Sequence, residues 1–372
     1  LTDPPQPTVT ASSMATPTAT RRPTSTPFPT FAAYNKIPEQ VDDGWQTGSL
    51  SAAGIDGVKI SEMLESIYHG EERGDTLRRM VGGDKMQNIH GILIARHGKL
   101  VFEEYFYHYN RTNWHNTASV TKSVTSLLVG QAIELGYLEG VEQAVLPFFE
   151  DYQPLPKPDE GWEQITIEDA LTMRHGIQCD DWLRSSPTYW KRDRSAYADD
   201  VIEFLFNLPM QFAPGEHYAY CTLTTILLGG VLARASGMSV QQFSEQNLFA
   251  PLGITSYGWL SLPGGWTNTG YSMELRMRDM LKLGQMALQG GVWEGRQIVP
   301  RAWIEQSVQK HVVLESNPGW GSGYGYLWWL SNVRIGRKRV NSFAASGAGG
   351  QVIAVYPDLE LVVVITGWNV DP

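Results

Sequence analysis

The stretch ASVTKSVTSLLVG at residues 118–130 places Ser119 and Lys122 at the head of an apolar helical run. Its apolar residues recur every three or four positions, which predicts a central and well-buried helix. Lysine is rarely buried without a partner. Because residues three apart lie on the same face of a helix, one turn from each other, the side chains of Ser119 and Lys122 can meet.

This spacing predicts a nucleophilic serine. Burial disfavours an ammonium and lowers the pKa of a lysine, which leaves an amine that can take the proton of a neighbouring hydroxyl. A serine at a helix start also gains from free backbone N–H groups, because they favour developing negative charge. The Ser-x-x-Lys pattern is short, however, and it also describes a capping serine followed by a lysine that faces solvent. The functional interpretation therefore depends on the motifs that accompany it.

Composition excludes several classes of protein. The chain has 372 residues, 42% hydrophobic and 18% charged, enough for a large core in one or two domains. A formal net charge of −10 argues against non-specific nucleic-acid binding, and no apolar run approaches the roughly 20 residues that cross a bilayer. The histidines and cysteines lack zinc-ligand spacing, and no serine lies in a Gly-x-Ser-x-Gly elbow. We therefore expect no metal or cofactor, a small-molecule substrate, and a monomer or weak oligomer.

The N-terminal segment differs from the rest of the chain. Residues 1–37 are rich in Thr, Pro and Ser and lack apolar periodicity, which predicts a disordered stalk ahead of a folded domain at 38–372. The sequence begins at Leu1 without Met, so a targeting segment is expected to have been removed. We expect an extracytoplasmic location, periplasmic, surface-tethered or secreted, with a plain cytoplasmic extension as the alternative.

Two predicted β-hairpins lie near the ends of the domain. The first joins the runs 91–95 and 100–106, and the second joins 351–357 and 359–368. The segments between them favour helices. The pattern predicts an α+β fold, with one antiparallel sheet built from both termini, flanked by helices, and a helical inserted region at about 138–290. The predicted helices are 118–137, 166–173, 198–208, 224–236, 240–249 and 271–289.

Several further motifs follow the serine helix in order. They are LTMRHGI at 171–177, a tyrosine pair before LLGGVLARASGMS at 227–239, FAPLGI at 249–254, GYGYLWW at 323–329 and a Ser-Gly pair that opens the last hairpin. Together with SVTKS they resemble the serine β-lactamase-like superfamily over about residues 89–368. The similarity is greatest to the β-lactamase/DD-peptidase branch with class C β-lactamases, penicillin-binding proteins, family VIII esterases and 6-aminohexanoate-dimer hydrolases.

The resemblance implies catalytic roles. Ser119 matches the family nucleophile and Lys122 its partner in general-base work. The family's Tyr-x-Asn element aligns with residues 220–222, which makes Tyr220 the second acid/base, with Tyr218 as the alternative. A tyrosine can act in this way only if positive charge lowers its pKa, and Lys122 is expected to supply that charge. The backbone N–H groups of Ser119 and Ala348 would form the oxyanion hole.

Two positions depart from the family pattern. The Lys-Thr-Gly strand of the family aligns with Ala345, Ser346 and Gly347, so its lysine is missing, and Thr222 replaces the asparagine. With Trp182, the residues Thr222, Ser346 and Gly347 are the expected substrate contacts. The departures favour carboxylic esters or linear amides over β-lactams. Activity on β-lactams or peptidoglycan peptides, and a non-catalytic binding or sensor protein, are the alternatives.

Aromatic residues and the cysteines leave further alternatives open. Aromatic side chains in segments that flank the site suit a pocket for acyl or aryl groups, although core packing explains any one of them equally well. Cys221 is either a bystander or pairs with Cys179 in an oxidising compartment. The aromatic residues are Trp182, Tyr189, Trp190, Tyr324, Tyr326, Trp328 and Trp329.

Overall fold

A large antiparallel sheet organises the computed structural model, which describes residues 32–69, 88–152, 161–188, 199–314 and 321–368. Residues 1–31 of the predicted stalk, and Tyr189 and Trp190, lie outside the described residues. Tyr34, near the end of the stalk segment, packs against Phe102 with ring centroids 5.1 Å apart and donates a hydrogen bond to Glu104.

The described strands fall into an eight-stranded sheet and two small sheets. The eight strands follow the order β2-β1-β13-β12-β11-β10-β9-β8, in which β1 pairs antiparallel with β13. Both ends of the domain therefore build one sheet, which confirms the predicted fold class. The strands are β1 Ile89–Arg96, β2 Lys99–Tyr105, β3 His115–Asn116, β4 Gly258–Trp259, β5 Met273–Leu275, β6 Val292–Trp293, β7 Arg296–Gln297, β8 Val312–Val313, β9 Gly323–Tyr324, β10 Trp329–Ile335, β11 Lys338–Gly347, β12 Gln351–Tyr356 and β13 Leu361–Gly367.

Helices cover both faces of this sheet. The α-helices are α1 Gly57–His69, α2 Val120–Glu134, α3 Ile167–Leu171, α4 Val201–Phe206, α5 Thr222–Ser236, α6 Val240–Ser244, α7 Met277–Leu288 and α8 Arg301–Ser307. Helix α7 packs on β13, β12 and β1, and α2 packs on β11 and α5. Every residue of β12 is buried, because both faces of the sheet are covered, and this explains its continuous apolar run. Gly284 allows the close approach of α7, since a Cβ there would lie 2.6 Å from Val362.

The predicted helices differ from the observed ones at their ends, and two of them include a strand or a π-helical turn. The predicted helix 271–289 begins only at Met277, because Met273–Leu275 forms β5 and pairs with β3. The predicted helix 240–249 is α-helical to Ser244 and continues as a π-helical turn over Glu245–Phe249. Among the described helices, no single one is long and apolar enough to cross a membrane; Thr222–Ser236 and Val240–Phe249 pass that test only as a pair bent by 78°.

Candidate active site

Ser119 lies where a strand turns abruptly into helix α2. Strand β3 ends at Asn116, and the Thr117 N–H donates to the Met273 carbonyl at 2.8 Å, which holds this segment against β5. Ala118 then has a φ of +46°, a left-handed conformation that is uncommon for a residue with a side chain. This turn leaves Ser119 half-buried at the N-terminal end of α2. The strained backbone thus presents the serine at a helix N-terminus.

The Lys122 ammonium or amine is buried beside this serine. The side chain is 1% exposed, and its Nζ lies 3.1 Å from Ser119 Oγ. The same Nζ lies 3.1 Å from Thr222 Oγ1 and 2.7 Å from the carbonyl oxygen of Gly270. The contacts with Thr222 and Gly270 come from outside α2. The structure therefore brings together Ser119 and Lys122, as the spacing predicts, and surrounds the amine with hydrogen-bonding oxygens.

Tyr220 completes the group of polar side chains. Its ring centroid is 5.0 Å from Lys122 Nζ, and its hydroxyl is hydrogen-bonded with the Ser119 side chain. Burial raises the pKa of Tyr220 above its ordinary value, the hydrogen bond with Ser119 lowers it, and the charge of Asp181 raises it further. The expected lowering of this pKa is therefore wrong, because burial raises the pKa by more than the hydrogen bond with Ser119 lowers it. Tyr220 is a neutral phenol that can donate a proton.

Tyr218, the alternative to Tyr220, lies in a different environment. Its ring meets Tyr324 edge to face, with centroids 5.5 Å apart. Within the described residues its buried hydroxyl has no hydrogen-bond partner, and burial raises its pKa well above the ordinary value. The hydrogen bond with Ser119 belongs to Tyr220, so the geometry favours Tyr220 over Tyr218.

The end of β11 lies directly against the start of α2. A Cβ on Gly347 would lie 2.5 Å from the Thr117 carbonyl oxygen and 2.9 Å from the backbone nitrogen of Ser119, so only glycine permits this approach. Ser346 is half-buried, and the exposed Ala348 begins the turn to β12. Ala345, at the position of the family lysine, is fully buried. The backbone at Gly347 thus borders the backbone nitrogen of Ser119.

A disulfide joins Cys179 to Cys221, with Cα atoms 5.5 Å apart, and settles the question that the sequence left open. The segment that follows Cys179 is thereby held against residues 220–222. The Asp181 N–H donates to the Tyr220 carbonyl at 2.8 Å. Trp182 is 51% exposed, and its ring centroid is 5.9 Å from that of Tyr220, which places it at the opening of the site.

The other aromatic residues separate into two groups. Trp329 stacks on Tyr220 at 5.6 Å between centroids, and Tyr324 meets the same ring edge to face at 6.4 Å. Tyr326 instead donates to Glu168 at 2.8 Å, and Trp328 packs edge to face on Phe343 at 5.4 Å. Trp329 and Tyr324 therefore form a wall behind Tyr220. Tyr326 and Trp328 pack in the core, away from the site.

Two residues of the site were missed by sequence reasoning. Asp181 is 5% exposed and accepts hydrogen bonds from both the backbone and the hydroxyl of Thr222. Gly270 contributes only its backbone carbonyl oxygen, and no pattern of side chains in a sequence indicates such a contact. The cysteine spacing was the available signal for Asp181, because pairing would bring residues near Cys179 to Thr222. In the described part of the chain, no three His, Cys, Asp or Glu side chains are grouped as a metal site requires.

His175 anchors the segment that leads to Tyr220. Its Nδ1 accepts from the Ile177 N–H at 3.1 Å, so Nε2 carries the proton and donates to the Ala219 carbonyl at 3.0 Å. The ring is completely buried, and this burial lowers its pKa to about 4. Protonation would give Nδ1 a hydrogen directed at another donor. The neutral imidazole is therefore the form that fits the fold.

Acid is expected to destabilise the protein through His175. The unfolded chain takes up a proton near pH 6.5 and the folded chain only near pH 4, so the free energy of unfolding falls between these values, by about 3 kcal/mol for His175. Buried His115, with a pKa of about 4, acts in the same direction. Urea unfolding at pH 7, 6 and 5 should show a steeper loss in wild type than in His175→Gln. An equal loss of stability with falling pH in the two proteins would contradict the assignment of this effect to His175.

The comparisons with known proteins agree with this fold. The model of the beta-lactamase family matches residues 78–367, and the chain therefore belongs to that family, hydrolases of the β-lactamase fold with esterase and amidase relatives. A 6-aminohexanoate-dimer hydrolase of Paenarthrobacter ureafaciens is 26% identical over 296 residues, which cover 74% of this chain and 72% of that protein. The esterase EstB of Burkholderia gladioli is 26% identical over 251 residues, 63% and 61% of the two chains.

Solved structures share the fold at lower sequence identity. A family VIII carboxylesterase superposes with a TM-score of 0.61 at 16% identity, covering 76% of this chain and 87% of that one. An octameric penicillin-binding protein homologue from Pyrococcus abyssi gives a TM-score of 0.60 at 18% identity, covering 84% and 73%. The β-lactamase/penicillin-binding protein fold is thus established for this chain.

Proposed function

We propose that this protein is a serine hydrolase that cleaves carboxylic esters or linear amides through a covalent acyl-Ser119 intermediate. The observation that carries the proposal is the contact of 3.1 Å between Ser119 Oγ and the buried Lys122 Nζ. A buried amine next to a hydroxyl at a helix N-terminus is one of the few arrangements that activate serine without histidine. Membership of the beta-lactamase family also makes hydrolysis the expected class of reaction.

Acylation begins with proton transfer from Ser119 to Lys122. The neutral amine takes the hydroxyl proton while Oγ attacks the carbonyl carbon of the substrate and forms a tetrahedral intermediate. The backbone N–H groups of Ser119 and Ala348 would stabilise the oxyanion, and the close packing at Gly347 supports this placement. Tyr220, a neutral phenol hydrogen-bonded with Ser119, is positioned to protonate the leaving oxygen or nitrogen as the intermediate collapses.

Deacylation repeats these transfers with water in place of the leaving group. The proton on the Lys122 ammonium first passes to the Tyr220 phenolate, which restores the neutral amine and the neutral phenol. Lys122 then takes a proton from the attacking water and gives it to the oxygen of Ser119 as that oxygen leaves and the acid product departs. Each cycle therefore consumes one water and releases one acid and one alcohol or amine.

Two substitutions support esters and linear amides as the substrate class. Ala345 provides no cation for a substrate carboxylate, and Thr222 provides no amide for an acylamido group. The relatives include an esterase and a 6-aminohexanoate-dimer hydrolase, in agreement with this preference. Action on β-lactams is the alternative, because a beta-lactamase of Escherichia coli is 24% identical over 228 residues.

A substrate panel tests this proposal. We expect turnover of p-nitrophenyl acetate and butyrate, or of a linear amide such as the 6-aminohexanoate dimer, and labelling by a fluorophosphonate probe. Turnover of a chromogenic cephalosporin at a higher kcat/KM than of every ester and amide would favour the β-lactamase alternative. The absence of both turnover and labelling would contradict the proposal and favour a binding or sensor protein.

Tyr220→Phe is expected to impair catalysis more than Tyr218→Phe. Loss of the Tyr220 proton donor should lower kcat/KM for p-nitrophenyl butyrate by about 100-fold or more, since general acid catalysis contributes about 10²- to 10⁴-fold. Tyr218→Phe removes a buried hydroxyl that lacks a partner within the described residues, so its effect should stay within about threefold. Both variants keep the ring and are therefore a matched pair. The reverse order of effects would assign the proton donor to Tyr218.

We propose an extracytoplasmic location as well, which the disulfide supports because such bonds persist mainly in oxidising compartments. The bond closes a loop with a sequence separation of 42, for which chain entropy alone is worth about 4 kcal/mol. Cys179→Ser combined with Cys221→Ser should therefore lower the free energy of unfolding in urea by about 2–4 kcal/mol. An unchanged unfolding midpoint would remove this support.

A further inference from the structure

A chain of hydrogen bonds leads from Ser119 through Lys122 and Thr222 to Asp181. Lys122 Nζ lies 3.1 Å from Thr222 Oγ1, and Thr222 Oγ1 lies 2.5 Å from Asp181 Oδ2. The Thr222 N–H donates to the same carboxylate oxygen at 2.9 Å. Asp181, Lys122 and Thr222 are all buried. A carboxylate and a lysine thus share one hydroxyl in a site from which water is largely excluded.

The donors and acceptors in this chain allow only one arrangement of hydrogens. An ionised carboxylate accepts only, so the single hydroxyl proton of Thr222 must point to Asp181. The lone pairs of Thr222 Oγ1 then face Lys122, which must donate to them. The Gly270 carbonyl also accepts only and takes a second N–H from Lys122 at 2.7 Å. Two hydrogens of the amine are therefore committed away from Ser119.

We propose that Asp181 is a positioning residue, which sets the direction of the Thr222 hydroxyl and thereby aims the free electron pair of the Lys122 amine at Ser119. A neutral amine has two hydrogens and one lone pair. With both hydrogens held by Thr222 and Gly270, the lone pair lies toward Ser119 Oγ, 3.1 Å away. When the amine takes the serine proton, the new N–H occupies this third position. The inference rests on the proposed role of Lys122 as the base.

The carboxylate has a second effect on the same step. Each half-reaction creates an ammonium at Lys122, and a buried charge without compensation is costly. Asp181 lies one hydroxyl away and supplies the opposite charge. Tyr220 also lies beside Lys122 and is neutral, so it supplies no negative charge there. The negative charge of Asp181 therefore favours the ammonium, and its removal would shift the balance toward the free amine.

A purely structural role for Asp181 predicts something different. Thr222 is the first residue of α5, and its N–H donates to Asp181, so the carboxylate also satisfies a free donor at the helix N-terminus. Loss of such a cap would lower stability by about 1 kcal/mol without changing the pH profile of activity. The two roles are therefore separated by variants that keep the shape of the group.

Three variants test the inference, with kcat/KM for p-nitrophenyl butyrate measured from pH 5 to 9 together with Tm. Thr222→Val removes the hydroxyl that links Asp181 to Lys122 but keeps the shape of the side chain. It should lower kcat/KM by about 10- to 100-fold. Thr222→Ser keeps the hydroxyl and should recover most of the activity that Thr222→Val loses. Asp181→Asn keeps an acceptor oxygen but loses the charge, and should move the acid limb of the profile to lower pH by about one unit.

The outcomes are decisive in both directions. A Thr222→Val enzyme as active as wild type, or an Asp181→Asn enzyme with a lowered Tm and an unchanged acid limb, would overturn the positioning role and leave only a helix cap. Failure of the proposed function itself would show separately, as full activity or fluorophosphonate labelling in Ser119→Ala. The Thr222 pair keeps the test valid even if Asp181→Asn folds poorly.

Discussion

Ser119→Ala is expected to reduce kcat/KM for p-nitrophenyl butyrate by about 10⁵- to 10⁶-fold, the range seen when an enzyme loses its nucleophile. The reason is chemical, because no covalent intermediate can form without Oγ. The hydroxyl contacts Lys122 and Tyr220, and its loss removes no apolar packing. Stability should therefore change by no more than about 1 kcal/mol. Initial rates and urea unfolding of the same preparation measure both quantities.

Ser123→Ala is the matched control for this variant. Ser123 lies one turn further along α2, is buried, and donates its hydroxyl proton to the Leu327 carbonyl at 2.6 Å. Its replacement should cost about 1–2 kcal/mol of stability by leaving that carbonyl unpaired, with kcat/KM within a few-fold of wild type. Equal losses of activity in the two variants would contradict a specific role for Ser119.

Lys122→Met should produce the second largest loss, about 10³- to 10⁴-fold in kcat/KM, at the upper end of what a general base contributes. Methionine fills a similar volume without the amine, so the core stays packed while the proton acceptor disappears. A loss confined to kcat, with KM nearly unchanged, would agree with an interaction made in the transition state. Turnover near the wild-type value would refute the assignment of Lys122 as the base.

A second buried lysine gives an internal control. Lys282 on α7 is also 1% exposed, and its Nζ lies 3.2 Å from Asp279. Lys282→Met removes one of two cations beside that carboxylate, since Arg276 Nε also lies 3.2 Å from it, and should cost about 1.5–3 kcal/mol of stability. Its kcat/KM under native conditions should stay within about threefold of wild type. The two variants therefore separate the loss of a base from the loss of a buried cation.

Local patterns were sufficient to predict two hairpins of the sheet and the proximity of Ser119 and Lys122. The hairpins β1-β2 and β12-β13 are short-range structures, and their burial gives continuous apolar runs that the sequence displays. Ser119 and Lys122 meet because helical geometry alone places side chains three residues apart on the same face. Tyr220 could be placed only by its distance from the following helix, through the family resemblance.

Long-range contacts explain what could not be predicted. Asp181 and Gly270 reach Thr222 and Lys122 across 41 and 148 residues, and such contacts depend on the tertiary fold. Met273–Leu275 has helical periodicity but becomes a strand, because pairing with β3 overrides local preference. The direction of the Tyr220 pKa depends on how completely its hydroxyl is buried, which a sequence pattern does not specify.

Trapping the intermediate tests covalent catalysis at Ser119 most directly. Enzyme mixed with p-nitrophenyl butyrate and quenched in acid within milliseconds should gain the mass of one butyryl group, and peptide mapping should place it on Ser119, within residues 118–130. The acyl group should be absent from Ser119→Ala and should accumulate in variants with impaired deacylation. Turnover without any acylated protein in such variants, or acylation at another residue with Ser119→Ala fully active, would contradict the mechanism.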